Sequence, residues 1–195
     1  MHLADPPSHI ASSWRSRTLH LYRCSVLILI AVLVHQRHAS RIPPTVKPDE
    51  LKDFFPTGTQ LKESEAPNLG VAVFDAKDER VGRVMLTLPA CKNIIGYSGN
   101  TDALIAMDED DRILGVAIRS SEDTARYVDD VAQNRLFLKS WDGMSMRKAV
   151  KLGVDGAGID GVSGATATSR AVARSVAQRL ALAQGQPPPR TPHPL

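Results

Sequence analysis

The chain has 195 residues, 43% of them hydrophobic, with a net charge of +3 and a pI near 9.0, enough for one ordinary domain plus flanking segments. The basicity is local: residues 1–47 hold six Lys/Arg against Asp5 alone, and the remainder carries a net charge of −2, which argues against nucleic acid as a partner. Two distant cysteines, with no CxxC and no Cys/His cluster, argue against a structural disulfide and leave this chain unable to ligate an iron–sulfur cluster or a structural zinc by itself.

The first feature in chain order is "CSVLILIAVLV" (24–34). It is uncharged, short of the roughly 20 apolar residues that span a bilayer, and preceded by Arg15, Arg17 and Arg23. That pattern fits the h-region of a signal peptide with its positive flank. Cleavage after Ala39 would place Arg37 where a small residue is wanted, and Arg23 can snorkel to lengthen the span. The expectation is an uncleaved signal-anchor over residues 1–39, with a cleaved signal as the alternative. Either one places the domain on the extracytoplasmic (periplasmic) side of a cell membrane.

Residues 40–64 read as a linker that includes a short helix at "PDELKDFF" (48–55), with Pro at its first position and acids in its first turn. The domain is expected over 65–184. "LGVAVFDA" (69–76) and "RVGRVMLTL" (80–88) alternate and read as a hairpin, and "DALIAM" (102–107) and "RILGVAI" (112–118) as a second one. The intervening "DEDD" lacks the spacing and glycine of a calcium loop and reads as a solvated tip. Val128, Ala132 and Leu136, beside Tyr127 and Val131, predict a helix near 122–139, and Met146, Ala149 and Val150 a shorter one. Val172, Val176 and Leu180 give the last helix an apolar stripe, with Arg170, Arg174 and Arg179 off it. Residues 185–195 read as a disordered Pro-rich tail. Strands first and helices afterwards imply an α+β fold with a mainly antiparallel sheet.

Between the last two helices lies "GIDGVSGATATS" (158–169). Thr168 or Ser169 is a good N-cap, so the plain reading is a capped helix after a glycine-rich loop. That reading leaves unexplained why Ser163 and Thr166 sit among residues stripped of bulk. Small neighbours permit close approach of another molecule, and a helix N-terminus offers unpaired N–H groups to a phosphate. Hydrolysis finds no support: "GYSGN" and "GVSGA" bring the second glycine one residue too early for a nucleophile elbow, and all six histidines lie at positions 2–38 or at 193. A Walker loop is missing too.

"DGVSGAT" (160–166) resembles the flavinylation motif Asp-x-x-Ser/Thr-Gly-Ala-Thr/Ser of FMN-binding domains, found in subunits of ion-pumping electron-transport complexes and in NosR-like regulators. The stretch 93–124, with its Gly-Tyr loop, hairpin and acidic-threonine loop, is similar to the NosR-like version. The resemblance covers roughly 65–184. It departs at "EDTARY" (122–127), where many relatives carry Glu-Thr-Pro-Gly. The resemblance implies FMN moved from FAD by a flavin transferase onto Thr166 as a phosphoester. It implies that Asp160, Gly161, Ser163, Gly164 and Ala165 shape the loop, with Asp160 serving transferase recognition. Thr168 and Ser169 would open the helix, and Gly96, Tyr97, Ser98, Gly99 and Thr124 are further candidates for flavin contact. The function it implies is a membrane-anchored electron carrier with a membrane or periplasmic redox partner. A flavin-binding or regulatory module without redox work is the alternative.

Overall fold

The structure is a computed structural model and describes residues 20, 22–32, 46–64, 67–155 and 159–187. The chain divides into two compact units, Met1–Thr45 and Val46–Leu195. In the first, residues 22–32 form helix α1, with Leu27, Ile28 and Leu29 exposed. Among the described residues no helix is long and apolar enough to cross a membrane. The other residues of the expected anchor, 1–19, 21 and 33–39, lie outside the described residues, as does the tail beyond 187.

The second unit is built on a five-stranded meander: β1 (Gln60–Glu63), β2 (Val71–Phe74), β3 (Arg80–Leu86), β4 (Thr101–Met107) and β5 (Ile113–Ser121). Every strand pairs antiparallel with its neighbour in sequence, and helices follow, so the class is α+β. The two expected hairpins are β2–β3 and β4–β5. Strand β1 comes from the segment read as linker. Its sequence, Gln-Leu-Lys-Glu, has one apolar residue, and its side chains stay wholly or partly exposed, as suits an edge strand. The "DEDD" tip is turn scaffolding, for Asp108 accepts from the N–H groups of Asp110 and Arg112. Asp111 there pairs at 2.6 Å with the buried Arg83.

Strand β4 is buried at every position because both of its faces are covered. Ala103, Ile105 and Met107 enter the core shared with the helices, while Leu104 and Ala106 meet Val46, Leu51 and Phe55 of the segment before β1. That segment holds a 3-10 helix, Pro48–Leu51, shorter than the expected one.

The helix expected near 122–139 is two. Helix α2 (Ala125–Gln133) ends at Asn134, whose side chain accepts from the Phe137 N–H and so caps a new helix, α3 (Arg135–Leu138). The cap resets the helical phase. Val131 and Phe137 therefore turn inward, while Ala132 is exposed and Leu136 is 85% exposed. Helix α4 (Met146–Asp155) buries Met146 and Ala149 as expected.

Helix α5 (Thr166–Ala183) is buried around most of its circumference. Val172, Ala173, Val176 and Leu180 join the main core, and Ala171 packs on the opposite side with Cys91 and Ile94. Arg179, off the apolar stripe in sequence, is also buried: it donates to the carbonyls of Leu86 (2.9 Å) and Asn68 (2.8 Å).

Candidate functional site

Helix α5 begins two residues before the expected cap. Ala165 occupies the N-cap position, no side chain caps the helix, and Thr166 is its first residue, exposed to solvent. Ahead of it the Ala165 N–H donates to the Val162 carbonyl at 3.0 Å, closing a turn whose third residue is Gly164 at φ 82°. A residue with a Cβ is strained there, which accounts for this glycine. Val162 and Ala165 are buried and anchor the turn, leaving Ser163 and Gly164 exposed beside Thr166.

The two hydroxyls expected to cap α5 do other work. Ser169 Oγ accepts from the Val162 N–H (3.0 Å) and donates to the Thr166 carbonyl (3.2 Å), fastening the loop to the helix. Thr168, 1% exposed, donates through Oγ1 to Asp123 Oδ2 at 2.7 Å.

Asp123 is the residue that sequence reasoning missed. The residue is 8% exposed, and its carboxylate accepts from five donors. They are the N–H groups of Tyr97 (2.9 Å), Ser98 (2.7 Å) and Thr124 (2.7 Å) and the hydroxyls of Ser98 (3.1 Å) and Thr168. Burial alone pushes this carboxyl up, but the bond from Thr168 and those from the three backbone N–H groups outweigh it, lowering the pKa to about 2. An ionised acceptor therefore joins the Gly96–Gly99 loop, the end of β5 and the first turn of α5. Its only signal in the sequence is an acid next to the threonine of the altered loop.

Both loop glycines are required by this closeness. A Cβ at Gly96 would collide with Asp123 Oδ2 and crowd Thr168 Cα at 3.3 Å. A Cβ at Gly99 would collide with the Glu122 carbonyl. The loop is also closed on itself: the Gly96 N–H donates to the Gly99 carbonyl, and Asn100 Nδ2 reaches the carbonyls of Lys92 and Ile94. Ser121 Oγ receives the Asp123 N–H and meets Thr101 Oγ1 at 2.8 Å, which sets the second loop on the sheet.

Of the expected contact residues, Ser98 and Thr124 meet through their hydroxyls at 3.0 Å. Tyr97 is 64% exposed rather than packed in the core, and its ring touches Tyr127 edge-on at 4.8 Å between centroids. Gly161 lies against Ser169 and Thr166, its Cβ direction 3.6 Å from Thr166 Cγ2. Asp160 is exposed. Loop 96–99, loop 121–124 and the Asp160–Ser169 turn thus form one surface. It offers small residues, an exposed hydroxyl and a helix N-terminus that no side chain caps, where free N–H groups favour negative charge.

A family comparison agrees with this geometry. Residues 96–181 match the family described as FMN-binding domain. A relative is a subunit of the ion-translocating oxidoreductase complex of Stutzerimonas stutzeri, 29% identical over 194 residues, covering 88% of this chain and 83% of that protein. The features just described fit a phosphate-bearing ligand, as the matched family's description calls for.

Proposed function

We propose that the chain is a membrane-associated flavoprotein module that carries FMN as a phosphoester on Thr166 and relays electrons to or from a partner redox protein on the extracytoplasmic side. One observation carries this reading: the last hydroxyl of "DGVSGAT" is the exposed first residue of a helix that no side chain caps. Thr166 Oγ1 forms its bond to the phosphorus of the FMN half of FAD as the pyrophosphate bond breaks. AMP leaves, and the hydroxyl proton passes to a base of the flavin transferase. Asp160 faces that enzyme, Gly161, Gly164 and Ala165 keep the approach clear, and Ser163 lines it. Tyr97, Ser98, Gly99 and Thr124 lie on the neighbouring loops, where the rest of the nucleotide is held.

Bound FMN supplies one- and two-electron redox chemistry, and the protein supplies its position and electrostatic surroundings. The relative's name, which places it in an ion-translocating oxidoreductase complex, supports a membrane redox partner. Arg15, Arg17 and Arg23 before the apolar run support a cytoplasmic N-terminus.

Production with a flavin transferase tests the attachment. Intact mass should show one FMN on the wild type, none on Thr166→Ala, and retention on Ser163→Ala. FMN still attached to Thr166→Ala overturns the assignment. The loaded protein should bleach with dithionite and recover in air; a flavin that stays oxidised overturns the relay.

A further inference from the structure

From Thr166 to Ala181, the exposed residues of α5 are Thr166, Ala167, Arg170 and Arg174, and every other residue is buried. These four form one strip, because residues three and four apart share a helix face. The strip starts at Thr166, and its two charged members make no ion pair or hydrogen bond among the described residues. Two like charges four residues apart disfavour a helix, and cations on its N-terminal half gain nothing from its dipole. The buried Arg83 and Arg179, by contrast, both have partners. Long side chains on a helix tend to lean toward its N-terminus, and Arg170 stands one turn after Thr166 on this helix.

We infer that Arg170 is the counter-cation of the flavin phosphate: its guanidinium pairs with the phosphoester at Thr166 and fixes how the nucleotide leaves the helix, with Arg174 adding field from one turn further. The inference rests on the proposed attachment and names a positioning residue for it. Arg170 has the planar fork of donors that suits phosphate oxygens, which lysine lacks.

The test compares thermal midpoints of the full-length chain with and without attached FMN, for wild type and Arg170→Gln, at low and high salt. Loading should raise the wild-type midpoint by about 2 °C more than that of Arg170→Gln, and salt should erase the difference. Equal increments in the two proteins overturn the inference. A second arm needs no flavin: Thr166→Glu sets a carboxylate at the head of the strip, in the Arg170 and the Arg170→Gln backgrounds. A larger gain with Arg170 present supports the pairing, and equal effects overturn it. Absence of FMN from the wild-type mass spectrum counts against the attachment alone, and the Glu arm then decides for or against Arg170.

Discussion

Thr168 Oγ1 donates to Asp123 Oδ2 at 2.7 Å, so the first turn of α5 is tied to a loop 45 residues earlier in the chain. The same carboxylate collects the Tyr97 and Ser98 N–H groups. Three separate segments of the candidate site therefore share one ionised group, and all of those bonds are made by the polypeptide itself.

Asp123→Asn keeps the shape but turns one oxygen into a donor facing donors. Unfolding by urea should show a loss of about 1–3 kcal/mol. On the proposed attachment, the yield of covalent FMN, read by intact mass, should fall with it, and Asp123→Ala should fall further. Unchanged stability and yield in both variants would contradict the role given to this carboxylate.

The pH dependence has a definite sign. Asp123 titrates at about 2 in the folded protein against 3.8 for the ordinary carboxyl, so the unfolded chain binds its proton first. The contribution is fully present above pH 3.8 and is lost as pH falls through about 2, a change of about 2 kcal/mol. Urea midpoints between pH 5 and pH 2 should fall more steeply for the wild type than for Asp123→Asn. Asp102 acts in the opposite sense. Burial raises its carboxyl above 3.8, against the bonds from Leu88 and Thr87 and the nearby Arg119, so the folded state gains as this group is protonated. The wild-type-minus-variant difference isolates Asp123.

Glycines 96, 99 and 164 should separate into two kinds. Alanine at 96 or 99 must displace Asp123 or the Glu122 carbonyl, costing about 1–3 kcal/mol and impairing flavin loading. Alanine at 164 meets open space, and its cost of about 1 kcal/mol comes only from φ 82°. Denaturation curves beside loading yields should show the split.

Arg179→Met should destabilise the domain by about 2–4 kcal/mol, because the carbonyls of Leu86 and Asn68 lose a charged donor in the interior. Arg179→Lys should recover only part of this, since one ammonium lacks the fork that serves both carbonyls. Equal stability of all three proteins in urea would count against the buried pairing.

Thiol reactivity should be divided as well. Cys91 is buried, and burial pushes its thiol up to about 12, while Cys24 is exposed. Iodoacetamide at pH 8 should leave Cys91 unlabelled in the native protein and label it after denaturation, as counted by mass.

The two hairpins were legible because alternation and acid-rich turns are local signals, and the apolar stripe of α5 because its period is regular. Strand β1 was not, since an exposed edge strand with a single leucine has no pattern to show. The break at Asn134 escaped because the apolar spacing in the sequence continues across it; only the side-chain cap reveals the change of phase. At the site, the loop and Thr166 stood out through their lack of bulk. Asp123 did not, because its donors lie up to 45 residues away and nothing local tells a buried acid from a solvated one. The burial of Arg179 escaped for the same reason: its partners are carbonyls 93 and 111 residues away.

The strand order also bears on when the cofactor can arrive. Each strand of the meander pairs with the one made just before it, so the sheet can assemble from nearby contacts as synthesis proceeds. Thr166 opens the last described helix, and in the folded protein its first turn is held to Asp123 through Thr168. On the proposed attachment, a maturation enzyme that recognises this turn meets it only in chains that have finished folding. Loading then doubles as an inspection, and misfolded copies stay colourless.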